Sequence, residues 1–238
     1  MSESSKPSKG PGDAKLAEAV AKDWKVVATF LRDHPNLIRG DADLLLVHDP
    51  EAERQFMDEG HGATIRQIAW NDFIIVGPSA DPAHIRGGSD CVAALQAIAS
   101  AQAAFVSRGD KSGTNAAELR LWKAAGIAPS GPWYRDIGGG MGATLNAATA
   151  MRAYTLSDRG TWLSYGNKAG MAIVVQGDHR LLNFYDVILL NPEKHPQAKQ
   201  EQAFALVSWL ASPAGQAAIA GYTVAGQKLF HPAADPRP

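Results

Sequence analysis

The sequence predicts an α/β fold built from two lobes. Short apolar runs alternate with amphipathic stretches along the chain, which is the pattern of strands followed by helices. Gly-Pro at 77–78 and Asn-Pro at 191–192 end two of the apolar runs. With 45% hydrophobic and 20% charged residues the composition is that of a globular protein, and 238 residues are enough for two compact lobes.

Apolar runs and helical periodicity place the individual elements. Residues 1–13 are rich in Ser, Lys, Gly and Pro and are predicted to be a disordered tail. Between residues 15 and 31 the apolar positions recur at helical spacing, although 24–31 is equally compatible with a strand. The other predicted strands are 44–47, 73–76, 103–106, 171–175 and 185–190, and the other predicted helices are 49–59, 91–101, 112–125, 144–154, 200–210 and 213–222.

The order of these elements predicts how the lobes are connected. No internal repeat or long linker interrupts them, so ordered segments should join the lobes. The predicted first lobe comprises residues 14–77 and 183–238, and the second lobe residues 78–182. Each lobe is expected to hold a mostly parallel sheet flanked by helices, and a cleft between two lobes is a common site for a small ligand.

The charge balance and the apolar runs argue against several classes of protein. The formal net charge is −1, from 23 basic and 24 acidic residues, and no long run of Lys or Arg of the kind that binds nucleic acid is present. No apolar run approaches the roughly 20 residues of a membrane-spanning helix. The N-terminus lacks the apolar core of a secretion signal, which indicates a mature or an incomplete start. The single cysteine, Cys91, is expected to be an idle thiol.

A strand, a glycine-containing loop and a helix start follow one another at 103–125, and they predict an anion site. The N–H groups at a helix N-terminus and the positive end of the helix dipole favour negative charge. Ser112 and Thr114 add hydroxyl donors, Gly113 allows a ligand to approach the backbone, and Arg108 adds a permanently charged fork of donors. This set of groups suits a tetrahedral oxyanion.

A purely structural interpretation of the same residues is also open. Ser112 or Thr114 could simply cap the helix, while Arg108 pairs with Asp110 or Glu118. The residues alone do not decide between this interpretation and the anion site.

Two further segments could contribute to a site in the second lobe. The glycine-rich stretch at 138–145, with Gly142 and Thr144, opens a helix but matches neither the Walker A nor the GxGxxG pattern, so it is either an anion-binding helix start or a flexible turn. After that helix, Tyr154 and Thr155 could donate to a ligand. Asp158, close by, could instead cap the next helix or pair with its neighbour, Arg159.

Nothing in the sequence forms a recognisable catalytic centre. Asp41 and Asp43 precede the predicted strand at 44–47, whereas His48 and Asp49 follow it, about 16 Å away if the chain is extended. They could not share a metal ion unless another element folds back. HExxH, GxSxG and kinase patterns are lacking, so the protein is predicted not to be an enzyme and to need no metal or cofactor.

Long ordered blocks of the chain, between Gly40 and Pro232, resemble the bacterial ABC-transporter tungstate-binding proteins. The blocks are GDADLLLVHDPEAE (40–53), NDFIIVGPSADPAHIRG (71–87), FVSRGDKSGTNAAELRLWKAAG (105–126), GGGMGATLNAA (138–148), AYTLSDRGTWL (153–163) and SPAGQAAIAGY near the C-terminus.

This resemblance implies a type II periplasmic-binding-protein fold of two α/β lobes that close on tungstate, or on molybdate. The implied partner is a membrane permease, the implied compartment is the periplasm, and the protein is expected to be a monomer that binds no nucleic acid. The matching positions place Arg108, Ser112 and Thr114 at the anion. The regions of Gly142–Thr144 and Tyr154–Thr155 would line the site from the second lobe.

One part of the chain departs from the family. The family begins with a strand that ends in a Thr-Thr-Thr-Ser turn and with a second strand that ends in Gly-Thr-Gly, and residues 1–39 contain neither. The departure favours a degenerate or ligandless sensor as an alternative. An enzyme that handles oxyanion esters is a separate alternative.

Overall fold

The computed structural model describes residues 42–224 and 226–235. Several sequence-based predictions lie outside these residues: the tail at 1–13, the helix or strand at 15–31, and Asp41. The segment in which the chain departs from the family also lies outside them.

The described chain alternates between strands and helices, which confirms the α/β class. Its strands are β1 (Leu44–Val47), β2 (Gly62–Pro78), β3 (Phe105–Ser107), β4 (Tyr134–Asp136), β5 (Thr155–Asp158), β6 (Met171–Val175), β7 (Leu182–Leu190), β8 (Thr223–Val224), β9 (Gln227–Lys228) and β10 (His231–Pro232). Its helices are α1 (Pro50–Asp58), α2 (Cys91–Ser100), α3 (Gly113–Ala124), α4 (Met141–Met151), α5 (Arg159–Ser164), α6 (Gln200–Ala211) and α7 (Pro213–Gly221), with a short 3-10 turn at His179–Leu181.

Strand β2 joins the two groups of strands. As far as Asp72 it pairs with β7, and from Phe73 onwards it pairs with β5 and β6. The change of partners therefore falls between these two residues, earlier in the chain than the predicted lobe boundary at 77. The sequence predicted only residues 73–76 of this strand. Ala63–Arg66, in its first half, are exposed and form no apolar run.

The sheets are less parallel than the sequence predicts. Strands β1 and β2 are both antiparallel to β7, and β5, β6 and β10 are antiparallel to β2. Among the described residues, parallel pairing is confined to β3 with β4 and to isolated bridges, one of which joins Phe105 to Tyr154. The prediction of a mostly parallel sheet in each lobe is wrong for these residues. The antiparallel arrangement is set by the long pair of β2 and β7, which four of the other strands, β1, β5, β6 and β10, join.

Helices cover both faces of the second group of strands. Ile75 faces α2 and α3 in one apolar cluster with Trp122, whereas Ile74 faces α4 in another cluster with Leu145. All four side chains are almost fully buried, and each contributes about 1.5–3 kcal/mol through apolar burial. Helices α3 and α4 are thereby fixed on opposite faces of one sheet.

The last two helices pack on the first group of strands. Leu206 of α6 is buried against Leu44 and Val187. Within residues 42–224 and 226–235, no single helix has the length and apolarity to cross a membrane. The pair α6 and α7, which is bent by 66°, meets those criteria only when the two helices are counted together.

Tyr154 is part of the core. Its side chain is fully buried, its hydroxyl donates to Asp81 Oδ1 at 2.7 Å, and it accepts the N–H of Ala83 at 3.0 Å. A Cβ atom at Gly77 would lie 2.3 Å from the tyrosine ring, so only glycine fits against it. Tyr154 thus ties the loop after β2 to β5.

We expect Tyr154→Phe to lower the free energy of unfolding by about 1–3 kcal/mol, because the buried N–H of Ala83 loses its acceptor. Urea unfolding measures this change. Tyr222→Phe, at an exposed residue, is the control and should leave the midpoint unchanged. Equal midpoints for the two variants would contradict a structural role for the Tyr154 hydroxyl.

Two carboxyl groups meet beneath α1. Glu53 is 3% exposed and lies beside Asp186 of β7. Burial, together with this neighbour, raises the pKa of Glu53 to about 8. Because Glu53 is the more buried of the two, we assign the shared proton to it.

A carboxyl pKa raised in the folded state gives stability that is complete below the ordinary pKa and is lost as the pH rises towards 8. We therefore expect the wild-type protein to lose stability between pH 5 and pH 8. Glu53→Gln should show a smaller loss in urea titrations at these two pH values. The exposed Glu59→Gln is the control, and an unchanged pH slope in Glu53→Gln would refute the assignment.

Candidate functional site

The two glycine-containing turns meet at one edge of the second lobe's sheet. Strands β3 and β4 are parallel, so the chain leaves both at the same edge. The N–H of Gly139 donates to the carbonyl of Arg108 at 3.1 Å, which joins the two turns directly. Since α3 and α4 then run back along opposite faces, both of their N-termini lie at the carboxyl ends of the strands, where open α/β sheets bind ligands.

The turn between β3 and α3 has a constrained backbone. Gly109 and Lys111 both adopt left-handed conformations, with φ of 60° and 59°. Ser112 is fully buried and its hydroxyl oxygen accepts the N–H of Asn115 at 3.2 Å. Ser112 is therefore the N-cap of α3, as the structural interpretation of this segment predicts.

Arg108 is held by an acidic neighbour. Its Nη2 lies 2.5 Å from Asp110 Oδ2, its Nε donates to the same oxygen at 3.1 Å, and its Nη1 donates to Thr114 Oγ1 at 3.4 Å. Burial would raise the pKa of Asp110, but hydrogen bonds from Ser112 and Arg108 lower it. The alternative pairing of Arg108 with Asp110 is thus present, and the pairing with Glu118 is not. Three of the five guanidinium N–H groups are engaged, which leaves two for another acceptor.

Helix α4 begins without a side-chain cap. Its N-cap is Gly140, and no side chain bonds to the N–H groups of the first turn. A Cβ atom at Gly142 would meet no atom within 4 Å, so the backbone there is open to a ligand. Thr144 is fully buried and its hydroxyl donates to the carbonyl of Gly140 at 3.1 Å. The site can use the first-turn N–H groups of α4, whereas Thr144 is tied to the helix.

The structure separates Tyr154, just before β5, from Thr155, its first residue. Tyr154 faces α2 and α3 with its hydroxyl on Asp81, so its hydroxyl is engaged in the core. Thr155 points to the other face, is 1% exposed and donates to the carbonyl of Leu156 at 3.4 Å. Asp158, further along β5, caps α5 by accepting the N–H of Thr161 at 2.7 Å. Arg108, the start of α3 and the start of α4 come together, and Tyr154 does not join them.

First-lobe residues that the sequence analysis missed face this edge. His48, directly after β1, packs on the start of α3, because a Cβ atom at Gly113 would lie 2.5 Å from its Cε1. Burial lowers the pKa of His48, and the charge of Arg108 lowers it further. The neutral ring can donate from Nδ1 to Asn183 Oδ1, 3.2 Å away. Gly113 is therefore required for the first lobe to approach α3.

Tyr185 of β7 belongs to the same network. Its hydroxyl oxygen accepts from Asn71 Nδ2 at 3.3 Å and from Asn183 Nδ2 at 3.0 Å. Burial raises the pKa of Tyr185 to about 12, so the phenol stays protonated. With both lone pairs engaged, its O–H remains available to donate to an acceptor outside this network. A buried asparagine inside each of two apolar strands is the sequence signal that could have revealed it.

Among residues 42–224 and 226–235, the side chains that could ligate a metal or act as a nucleophile are dispersed, buried or paired. No three His, Cys, Asp or Glu side chains in this part of the chain are grouped to hold a metal ion. Cys91 is buried, and burial raises the pKa of its thiol to about 12, so it is not a nucleophile. Asp43 accepts the N–H of Lys199, and Asp49 pairs with Arg120 at 3.1 Å.

The family comparisons agree with this architecture. Residues 28–214 match the model of the PBP superfamily domain. A putative ABC transporter anion-binding protein of Haloferax volcanii is 48% identical over 198 residues, which cover 81% of this chain and 58% of that protein. This chain thus spans little more than half the length of that relative.

Two tungstate-binding proteins are also similar. The tungstate-binding protein TupA of Peptoclostridium acidaminophilum is 42% identical over 197 residues, covering 81% of this chain and 69% of that protein. The solved structure of the tungstate-binding protein TupA from Desulfovibrio alaskensis G20 is 39% identical, covers 95% of this chain and 94% of its own, and superposes with a TM-score of 0.77. The chain therefore belongs to the PBP superfamily and, within it, to the family of the tungstate-binding proteins.

Proposed function

We propose that the protein is the solute-binding component of an ABC importer and that it binds a tetrahedral oxyanion, tungstate or alternatively molybdate. The observation that carries this proposal is the convergence of Arg108 with the starts of α3 and α4 at one edge of the sheet. Each helix N-terminus carries about half a positive charge, and the guanidinium adds a full one.

A dianion leaves water only if protein donors replace its hydration shell. In the second lobe these donors are the two remaining N–H groups of Arg108 and the uncapped first turn of α4 at Met141–Ala143. The ion pair with Asp110 already holds the Arg108 guanidinium in place, so the side chain loses little conformational entropy when the anion binds.

The first lobe contributes the opposite wall. The neutral Tyr185 phenol can donate its O–H to the anion. The side-chain amides of Asn71 and Asn183, which donate to the phenol oxygen, hold it in place. Closing of the two lobes would bring this donor to the anion, since hinge closure around a ligand is a usual motion of two-lobed proteins. We place the hinge in β2, between Asp72 and Phe73, and in the segment that leads into β7, so that the second lobe begins about five residues before the 78–182 of the sequence prediction.

The proposed partner is a membrane permease that accepts the ion from the closed form. We further propose that the protein acts in the periplasm as a monomer, with no cofactor and without nucleic acid. The names of the similar proteins, which include an ABC transporter anion-binding protein, support this assignment.

Two other functions remain to be tested. An oxyanion-ester hydrolase would turn over a chromogenic phosphate or sulfate ester, and a ligandless sensor would give no heat with any oxyanion. The Cys91 thiol is buried with its pKa raised to about 12, and the carboxylates on either side of β1, Asp43 and Asp49, are engaged by Lys199 and Arg120. These observations favour binding over catalysis.

Arg108→Ala should weaken tungstate binding about 100-fold, because it removes charge-assisted hydrogen bonds to a dianion. Calorimetric titration with tungstate, molybdate, sulfate and phosphate measures this. The exposed Arg66→Ala is the matched control and should bind as the wild type does. At 100 times its dissociation constant, tungstate should stabilise the wild type by about 2.7 kcal/mol. No heat and no stabilisation in the wild type would reject the proposed function.

Tyr185→Phe should weaken binding about tenfold, since it deletes one donor to the anion and keeps the ring. Tyr154→Phe removes a phenol hydroxyl from the core instead. It should leave the affinity for tungstate unchanged while lowering the free energy of unfolding. Calorimetry and urea unfolding of both variants separate the two effects. Equal affinities for Tyr185→Phe and the wild type would remove Tyr185 from the site.

A further inference from the structure

A buried carboxyl group lies beneath the anion-binding turn. Glu118 of α3 is 3% exposed and receives three hydrogen bonds. Ser107 Oγ donates to its Oε2 at 2.8 Å, and Tyr134 Oη and Trp122 Nε1 donate to its Oε1 at 2.7 Å and 3.1 Å. The group thus connects the last residue of β3, the middle of α3 and the start of β4.

The hydrogen bonds continue from Glu118 into the turn. The Ser107 hydroxyl donates its only hydrogen to Glu118, and its oxygen accepts a hydrogen bond from Asn115 Nδ2, 3.2 Å away. That bond turns Asn115 Oδ1 towards the N–H of Lys111, which donates to it at 3.2 Å. The backbone N–H of Asn115 donates in turn to Ser112. Both flanks of the left-handed turn after Arg108 are therefore held by a chain of bonds that starts at Glu118.

This chain of bonds requires an ionised carboxylate. An indole N–H can only donate, and in this arrangement the Ser107 hydroxyl also donates to the carboxylate. A protonated carboxyl would need an acceptor of its own and would have to displace one of these donors. Burial raises the pKa of Glu118 to about 7, against the lowering effect of its three donors, and the nearby charge of Asp136 raises it too. The other titratable group that faces it is Tyr134, whose pKa burial raises, so it remains a neutral donor.

On the basis of the proposed function, we infer that Glu118 is a positioning residue for the oxyanion site. Its carboxylate, acting through Ser107 and Asn115, fixes the turn that carries Arg108 and the start of α3. Substitution of Glu118, or protonation of its carboxylate, then weakens oxyanion binding.

The inference has a competing prediction of opposite sign. A carboxylate beneath the site repels a dianion, and if that repulsion dominated, neutralising Glu118 would strengthen binding. The sign of the change in affinity therefore decides between positioning and repulsion.

The test is calorimetric titration of tungstate at pH 8.5 and pH 6 with the wild type, Glu118→Gln and Ser107→Ala. In Glu118→Gln an amide NH₂ would compete with Asn115 for the Ser107 oxygen. We expect it to bind about tenfold more weakly than the wild type at pH 8.5. The ratio should approach one at pH 6, where Glu118 of the wild type is itself protonated. The exposed Glu193→Gln is the matched control and should follow the wild type at both pH values.

Ser107→Ala cuts the same chain of bonds without changing a charge, so it should also weaken binding at pH 8.5. The double variant should bind no more weakly than Glu118→Gln alone, because both changes act through one path. Thermal unfolding of each variant shows that it is folded.

Three results would overturn the inference: tighter binding by Glu118→Gln, the same ratio to the wild type at both pH values, or additive effects in the double variant. Failure of the proposed function is a separate outcome, since the wild type would then bind no tungstate at either pH.

Discussion

The parallel pairing of β3 with β4 is the constraint on which the site depends. It places Ser107 opposite Asp136, so that the chain leaves both strands at one edge and the glycine-rich turns touch through the N–H of Gly139. A shift of one residue would send alternate side chains to the opposite face and would separate the two turns. Because α3 and α4 run back on opposite faces, this single register sets where two helix dipoles and a guanidinium converge.

The polar side chains around that edge are buried but not unpaired. Ser107, Ser112 and Thr144 are all fully buried, and each is hydrogen-bonded within the protein. A buried polar group without a partner would cost about 1–3 kcal/mol, so the network holds the edge in one arrangement. The donors that remain available to a ligand are the backbone N–H groups in the first turn of α4 and two N–H groups of the Arg108 guanidinium. Such a preorganised donor set selects an anion by charge and shape.

Local chemistry explains what the sequence predicted well. The serine cap, the glycine and the arginine near the start of α3 lie within a few residues of one another, and so their roles follow from helix geometry. The contact of His48 with Asn183 spans 135 residues and that of Asn183 with Asn71 spans 112, which no local pattern encodes. The sequence could not show that the Tyr154 hydroxyl bonds to Asp81, 73 residues away, because adjacent residues of an extended segment face opposite sides and no local pattern says which side is the core.

The most direct test of a second-lobe anion site is a crystal structure grown with tungstate, using the anomalous signal of tungsten to locate the ion. We expect a single strong peak between the guanidinium of Arg108 and the backbone at Gly142, within hydrogen-bond distance of both. A peak elsewhere on the protein, or an Arg108 fork bound only to Asp110 with no peak beside it, would contradict the site described above.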